Sequence, residues 1–259
     1  MRRVAALTPS RLLATVLALV VLGGCSGAGD APAAAPSPTP SPDSSPAEPD
    51  FTPVVLEPGQ TLVAAAVVDV VQVFASRSGD EPERTLDRRD EVSGDLVFLV
   101  EEQAPDRLRV QLPVRPNGST GWVPASQVVL TVNDFALEVR LSDHELVVRR
   151  SGSEVLRAPI GVGTQDTPTP GGDYYLKELL QPPAPGGPYG AYAYGLSGFS
   201  NELTSFAGGE GVIGIHGTDR PDLVGQDVSS GCIRLTDDVV TRLVEDVQLP
   251  LGTPVAVIA

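Results

Sequence analysis

The chain has 259 residues, of which 41% are hydrophobic, and a formal net charge of −15 at pH 7. This length allows one or two domains, and the apolar content is sufficient for a packed core, which excludes a wholly disordered chain. The acidic balance argues against nucleic acid as a partner, because phosphate binding requires clustered basic residues. Two cysteines cannot build a disulfide framework or a cysteine-rich zinc site.

Residues 1–24 have the composition of a secretory signal peptide. Three arginines precede the apolar run 12–22, which is too short to span a bilayer core of ~30 Å, and Gly-Gly-Cys25 follows. The segment Leu-Gly-Gly-Cys25 resembles a bacterial lipobox, which implies cleavage before Cys25 and lipidation of its sulfur. We therefore expect an extracytoplasmic protein that is lipid-anchored to the outer face of the cell membrane and faces the cell wall. Cleavage without lipidation is the alternative.

Residues 25–50 are predicted to form a linker after this anchor. They consist mainly of Pro, Ser and Ala and offer almost nothing to bury. Such a composition favours extended polyproline II segments at ~3.1 Å per residue, so the linker could span roughly 75 Å. The sequence therefore predicts a spacer that lifts a folded part clear of the membrane.

Residues 51–130 are predicted to form a small β domain. Short runs rich in β-branched residues alternate with turn-forming segments, and Asn117-Gly118 is a hairpin signal. The stretch 107–130 resembles the end of a bacterial SH3-like domain, in which a Gly-Trp-Val strand precedes a short turn and a last strand. The resemblance implies a small β-barrel of a class that often touches cell-wall polymer. We expect Trp122 to pack inside the barrel rather than to bind a ligand.

Residues 131–259 are predicted to form a second, mainly β domain. Apolar and polar residues alternate between Phe135 and Leu141, which indicates a strand with one solvated face, and the turn Ser142-Asp143 leads into a second strand. One clear helix is predicted over Asp237–Val247, where acidic residues precede an apolar stripe. A strand over Val255–Ile258 closes the chain. We therefore expect a β fold with one or two short helices.

This second domain contains a cysteine and a histidine suited to nucleophilic catalysis. Cys232 lies in a Ser-Ser-Gly-Cys-Ile-Arg segment, and His216 ends an apolar run sixteen residues earlier. A cysteine nucleophile needs a base or a cation nearby, because the thiolate attacks and the thiol does not. A strand ending at His216 and a following loop would bring the two together, and the amides of Gly231 and Cys232 could form an oxyanion pocket. The other histidine, His144, falls in a predicted turn and is expected to be exposed.

The same residues resemble the signature of the L,D-transpeptidases, cell-wall cross-linking enzymes with a YkuD domain. That signature has His-Gly, a gap of this order, and then Ser/Thr-His-Gly-Cys, a hydrophobic residue and Asn or Arg. The likeness runs through His216-Gly217 and the segment 229–234. Thr169-Pro170-Gly171 resembles the TPxG turn of the family, and Gly195-Leu196-Ser197 resembles its substrate-side loop. The resemblance implies the family's β-sandwich, preceded here by the SH3-like barrel.

The resemblance also implies the catalytic roles. Cys232 is the nucleophile, His216 is the general base and acid, and the Gly217 carbonyl orients the imidazole. No metal or cofactor is required. The expected partners are peptidoglycan stem peptides and the membrane, through the lipid anchor, and carbapenem-type β-lactams are the expected inhibitors.

Two positions depart from the family signature. Ser230 stands where a second His is usual, and Arg234 stands where many members have Asn. Together with Ser229, they are the candidate substrate-binding residues. Arg234 brings a positive charge that could stabilise the thiolate or bind a stem-peptide carboxylate. We further hypothesise that three acidic residues near the site attract the cationic diamino-acid side chain of the stem: Asp219, Asp222 and Asp227.

The implied reaction is the formation of 3→3 peptidoglycan cross-links through a cysteine thioester, and three alternatives stay open. With water as the acceptor, the same fold would act as an L,D-carboxypeptidase. A sortase-like transpeptidase also has His before Cys and Arg after it, although with a longer gap between His and Cys. A non-catalytic cell-wall-binding lipoprotein would explain the SH3-like segment and the missing second His.

Overall fold

The computed structural model describes residues 51–90, 94–184, 186–205 and 209–259. The predicted signal peptide, Cys25 and the linker lie outside these ranges, so the lipid anchor stays a prediction. No helix within the ranges is long and apolar enough to cross a membrane. The described part of the chain is mainly β with one α-helix, which confirms the predicted fold class.

The first nine strands lie between residues 61 and 133. They are β1 (Thr61–Ala66), β2 (Val70–Val73), β3 (Arg84–Asp87), β4 (Arg89–Asp90), β5 (Gly94–Asp95), β6 (Val97–Gln103), β7 (Arg107–Gln111), β8 (Thr120–Pro124) and β9 (Val128–Asn133). Five of them form an antiparallel sheet in the order β8-β7-β6-β1-β9, and β2 pairs with β3. We call the five-stranded sheet the N-terminal sheet. Strand β9 ends at Asn133, three residues beyond the end of the predicted first domain.

Trp122 does not pack inside this part of the fold, contrary to the prediction. Its neighbours in β8, Gly121 and Val123, are buried, and successive side chains of a strand point to opposite faces. Trp122 therefore projects away from the core and is only half-buried. Its main chain exchanges two hydrogen bonds with Phe74, at 2.8 and 2.9 Å.

The second half of the chain forms a larger sheet and α1. Its elements are β10 (Phe135–Arg140), β11 (Glu145–Arg150), β12 (Ser153–Pro159), β13 (Val162–Gly163), β14 (Gly172–Leu180), β15 (Ala193–Phe199), β16 (Val212–His216), β17 (Asp227–Ser229), β18 (Ile233–Arg234), α1 (Asp237–Glu245) and β19 (Pro254–Ile258). Eight strands form one sheet in the order β12-β11-β10-β19-β14-β15-β16-β18, which we call the catalytic sheet. Within it, β10 with β19 and β16 with β18 are parallel pairs.

Helix α1 covers one face of the catalytic sheet. It starts where it was predicted and ends two residues earlier, at Glu245. Asp237 and Asp238 lie in its first turn, where negative charge interacts favourably with the helix dipole. Val240 and Leu243 are fully buried in the core of the sheet. The opposite face of strands β14, β15, β16 and β18 is thereby left for the site.

The segment Gly195-Leu196-Ser197 is part of strand β15, so the resemblance to a substrate-side loop was wrong in structural terms. Leu196 is fully buried in the core. The Ser197 hydroxyl accepts a hydrogen bond from the Tyr175 amide at 3.1 Å. Small residues favour turns, but burial of Leu196 and pairing with β14 and β16 keep this segment extended.

Candidate active site

The parallel pairing of β16 with β18 brings the predicted histidine and cysteine to one face of the catalytic sheet. Ile215 lies opposite Ile233, and His216 lies opposite Arg234. Paired residues project to the same face, and successive residues alternate. The two isoleucines are fully buried in the core. His216 and Arg234, and with them Cys232, therefore project to the opposite face.

Two adjoining cavities open on that face. The smaller one, which we call the small pocket, has a volume of about 170 Å³ and extends to Arg234. The larger one, which we call the groove, has a volume of about 550 Å³ and extends across the sheet to Glu178. His216, Cys232 and Tyr189 line both cavities. The cysteine and the histidine thus lie where the two cavities meet.

His216 is held as a neutral imidazole with one nitrogen available as a base. Its Nδ1 lies 2.6 Å from the Gly217 carbonyl oxygen, which can only accept, so Nδ1 carries the hydrogen and Nε2 keeps a lone pair. His216 is 4% exposed, and the Tyr189 ring lies 5.0 Å from its own. Burial lowers the pKa of His216 to about 4, with the Gly217 hydrogen bond opposing this and the Arg234 charge adding to it. The imidazole is therefore neutral at pH 7.

Cys232 is a half-buried free thiol. Burial raises the pKa of this thiol, while a hydrogen bond from the Gly214 amide and the charge of Arg234 act in the opposite direction. Because burial is the largest effect, the resting pair consists of a neutral thiol and a neutral imidazole. Such a pair reacts when the imidazole removes the thiol proton during attack, rather than from a preformed thiolate.

The turn before Cys232 is held by the Ser229 side chain. Its hydroxyl donates to the Cys232 carbonyl at 2.5 Å and accepts from the Gly231 amide at 3.1 Å. Gly231 has a φ of +113°, a conformation that favours glycine, and an added Cβ would lie 3.1 Å from Ile213 Cδ1. Glycine at position 231 therefore allows the turn to lie close to β16.

These bonds change two of the predicted roles. The Gly231 amide is already used inside the turn, so it is not free to form an oxyanion pocket. Ser229 is 3% exposed, and its hydroxyl is engaged with the turn rather than with a substrate. The Cys232 amide has no main-chain acceptor among the residues that the structure describes. It is therefore the amide left to face a developing oxyanion.

Ser230 and Arg234 both line the small pocket. Ser230 is exposed there, in the position where the family signature has a second histidine. Arg234 is half-buried, and its Nε is buried without a hydrogen-bond partner. An unpaired buried donor of this kind is costly unless a ligand satisfies it. Arg234 therefore places a cationic side chain with one unpaired donor atom, its buried Nε, at the small pocket that Cys232 also lines.

The three aspartates expected to attract a cationic substrate lie away from both cavities. Asp222 is exposed and pairs with Arg220 at 3.0 Å, and Asp219 is exposed. The Asp227 carboxylate lies 2.8 Å from His144 Nε2. His144 is consequently half-buried and paired, not fully exposed as predicted. Within the described ranges, no three His, Cys, Asp or Glu side chains are grouped so as to hold a metal ion.

Two residues of the site were missed from the sequence. Tyr189 packs against the His216 ring, and Glu178 lies at the far end of the groove. Glu178 carried little signal, because strand β14 also contains the charged residues Asp173 and Lys177. Tyr189 carried none, because it comes from a Pro- and Gly-rich stretch with no regular pattern.

The wall beside both cavities consists of residues 200–205 and 209–211, between β15 and β16, and residues of the N-terminal half of the chain hold it. The Arg115 guanidinium stacks on the Phe199 ring at 4.9 Å. Asn117 forms two hydrogen bonds with the main chain of Phe199, at 2.8 and 2.9 Å. Arg115 also donates to three carbonyl oxygens of this wall, those of Ser200 (2.8 Å), Leu203 (3.1 Å) and Glu210 (2.8 Å). Residues from both halves of the chain therefore shape the site.

Sequence matches to known proteins identify the family of this chain. The L,D-transpeptidase catalytic domain family, YkuD, matches residues 134–257. The chain is 31% identical over 153 residues to the Bacillus licheniformis protein named "Putative L,D-transpeptidase YkuD", a match that covers 56% of this chain and 83% of that one. The Bacillus subtilis protein of the same name is 38% identical over 99 residues, 38% of this chain and 51% of that one. The chain belongs to the L,D-transpeptidase family.

Solved structures give partial overlays. The Bdellovibrio bacteriovorus protein Bd1075 is 27% identical, with a TM-score of 0.36 over 48% of this chain and 47% of that chain. L,D-transpeptidase 3 from Mycobacterium tuberculosis, solved with a faropenem-derived adduct, is 16% identical, with a TM-score of 0.40 over 65% of this chain and 92% of that chain. Both TM-scores are below 0.5, so the family assignment depends on the sequence matches.

Proposed function

We propose that this protein is a peptidoglycan L,D-transpeptidase that forms 3→3 cross-links through a thioester on Cys232. The observation that supports this most is the neutral His216, whose Nδ1 is held by Gly217 so that Nε2 keeps its lone pair, in the same groove as the cysteine. A base of this kind is what a protonated thiol requires. Membership of the L,D-transpeptidase family supports a stem peptide that contains D-Ala as the substrate class.

The first half of the reaction forms the acyl-enzyme. Cys232 Sγ attacks the carbonyl carbon of the third residue of a donor tetrapeptide, and His216 Nε2 takes the thiol proton. The negative charge that develops on the carbonyl oxygen accepts a hydrogen bond from the Cys232 amide. The bond to D-Ala then breaks, His216 gives its proton to the leaving amine, and the thioester remains.

The second half transfers the acyl group. The side-chain amine of a second stem attacks the thioester carbon and gives a proton to His216. The carbon–sulfur bond breaks, and His216 returns the proton to the departing sulfur of Cys232, which restores the resting pair. Arg234, which lines the small pocket, binds a carboxylate of one of the stem peptides through its guanidinium.

The location of this reaction follows from the predicted anchor. A lipid on Cys25 and an extended linker would hold residues 51–259 at the outer face of the membrane, within reach of the cell wall. The small β domain predicted to be SH3-like would then contact wall polymer. Metabolic labelling with a fatty acid, followed by mass analysis of the N-terminal peptide, tests the anchor; the Cys25→Ala variant should lose the label.

The test of the proposed function is product analysis with a purified stem tetrapeptide. We expect the wild-type chain to release D-Ala and to form dimers, which mass spectrometry detects. Cys232→Ala and His216→Ala should form none, while His144→Ala, which changes a histidine outside the groove, should form dimers like the wild type. Free tripeptide without dimers would mean that the protein is an L,D-carboxypeptidase. No D-Ala release would contradict both activities.

A further inference from the structure

One row of paired residues crosses the catalytic sheet from Glu178 to the catalytic sulfur. Glu178 lies opposite Gly195, and Gly195 lies opposite Gly214. Gly214 precedes the pair of Ile215 with Ile233, so Cys232 lies beside it in the next strand. All four residues line the groove. Because the two central residues are glycines, no side chain stands between the carboxylate and the sulfur in this row.

The Glu178 side chain is buried and extends along this row over Gly195. It is 6% exposed, and a Cβ added to Gly195 would lie 2.2 Å from Glu178 Oε1. The carboxylate is therefore above Gly195, two strands away from Cys232. With neighbouring strands ~4.8 Å apart, this places it roughly 10 Å from the cysteine. A side chain on Gly195 would displace it, which explains why the position is glycine.

The Glu178 carboxylate is held from one side only. A bulge between Leu176 and Glu178 places Lys177 next to it, and Lys177 Nζ lies 3.4 Å from Oε1. Lys177 does not line the groove. Among the described residues it is the one side chain that pairs with this carboxylate. An ionised carboxylate has about four acceptor sites, so acceptor capacity is left facing the groove.

We propose that Glu178 binds the amino group on the side chain of the third residue of the donor stem, a diamino acid. This inference rests on the proposed function. The amine that attacks the thioester must come within ~3–3.5 Å of the reacting carbon, so an amine at Glu178 is not the attacking one. The donor's own side chain starts next to the attacked carbonyl. A side chain with four carbons between Cα and the amine would carry its ammonium along the row of glycines to Glu178.

The role of Lys177 in this site is to fix the carboxylate. Its charge balances that of Glu178 in the empty groove, and an arriving ammonium adds a second charge-assisted hydrogen bond on the open side of the carboxylate. The three exposed or paired aspartates of the sequence hypothesis cannot do this, because they do not line the groove. Glu178 therefore takes over the role that was assigned to them.

The test compares two donor tetrapeptides that differ only in the side-chain amine, one free and one acetylated, in assays of D-Ala release. Hydrogen bonds to charged groups contribute enough to change rates by about tenfold or more. We expect acetylation of the amine to lower kcat/KM of the wild type by about tenfold. With the free amine, Glu178→Gln should have a kcat/KM lower than the wild type by a similar factor. For this variant, acetylation of the donor should not change kcat/KM. Glu102→Gln, which changes an exposed glutamate of β6 outside the wall and both cavities, should behave like the wild type.

Acylation by faropenem, which carries no amino group, separates this inference from the proposed function. Wild type and Glu178→Gln should both gain the adduct mass on Cys232 at similar rates, which also shows that the variant is folded. If the wild type fails to acylate and to release D-Ala, the proposed function fails. If the wild type acylates and releases D-Ala, the proposed function stands. If Glu178→Gln then shows the same ratio of kcat/KM between the free and the acetylated donor as the wild type, Glu178 is not the amine site.

Discussion

The protonation states of His216 and Cys232 follow from burial more than from any single charge. The His216 ring is buried, with the Tyr189 ring on one side, so its protonated form is poorly solvated. This desolvation destabilises the protonated form more than the Gly217 hydrogen bond stabilises it. The same burial disfavours the thiolate. A buried pair of this kind keeps both groups neutral until a substrate carbonyl is present.

This balance predicts the pH dependence of the reaction. His216 accepts a proton only while it is neutral, so kcat/KM for D-Ala release should stay constant from neutral pH downwards and fall as His216 becomes protonated near pH 4. An exposed histidine would lose this capacity near pH ~6.5. The measurement is initial rate against pH, with circular dichroism at each pH to show that the protein is folded. An acid limb near pH 6.5 would contradict the burial argument.

At the scale of residues, the sequence predicts the nucleophile and its base, but it does not predict the residues that surround them. His216 and Cys232 lie in short local patterns, and a strand followed by a turn is a local structure. Glu178 and Tyr189 reach the site through strand register and a long irregular connection, which no local pattern encodes. The engagement of the Gly231 amide by Ser229 depends on one side-chain rotamer, so it too was not predictable.

At the scale of elements, the turn 229–232 decides where the sulfur lies. Its left-handed glycine and the two bonds of Ser229 fix the chain just before it enters β18. Alternating strands such as β10 and helix α1, with acidic residues in its first turn, were predictable, because hydrophobic periodicity and charge at a helix start are local signals. Strand β15 was mistaken for a loop at Gly195-Leu196-Ser197, because its small residues serve close packing with Glu178 and Tyr174 rather than a turn.

Gly231→Ala tests the importance of this turn, with Gly225→Ala as the matched control. Both glycines have a positive φ, +113° and +93°, so each substitution should destabilise the protein by about 1 kcal/mol or more. An added Cβ meets Ile213 at position 231 and nothing within 4 Å at position 225. We therefore expect thermal melting to shift for both variants, and D-Ala release to fall by about tenfold only for Gly231→Ala. Equal activity of the two variants would show that the turn does not position the sulfur.

At the scale of the whole molecule, the N-terminal sheet takes part in the site. Arg115 and Asn117 bind the wall that lies beside both cavities, and Val63, Val97 and Leu99 form a small core with Tyr175 of the catalytic sheet. The sequence predicted two β domains but not that one would hold the site wall of the other. Contacts between residues about 85 positions apart leave no local signature.

Arg115→Ala should therefore loosen the site without unfolding the chain. The wall loses three hydrogen bonds to its carbonyl oxygens, so amide hydrogen exchange at residues 200–205 and 209–211 should become faster. We expect a higher KM and a kcat/KM for D-Ala release that is roughly tenfold lower. Arg84→Ala, which removes an exposed arginine from the same half of the chain, is the control. Unchanged exchange and kinetics in Arg115→Ala would show that the wall holds its position unaided.

The proposed function requires that His216 activates the Cys232 sulfur as a nucleophile. The mass of the intact protein after exposure to a carbapenem tests this most directly. We predict that the wild-type chain gains the mass of one carbapenem, that digestion places it on Cys232, and that Cys232→Ala gains nothing. His216→Ala should react far more slowly. A folded wild-type chain that keeps its unmodified mass, or an adduct that forms equally fast without His216, would contradict the account.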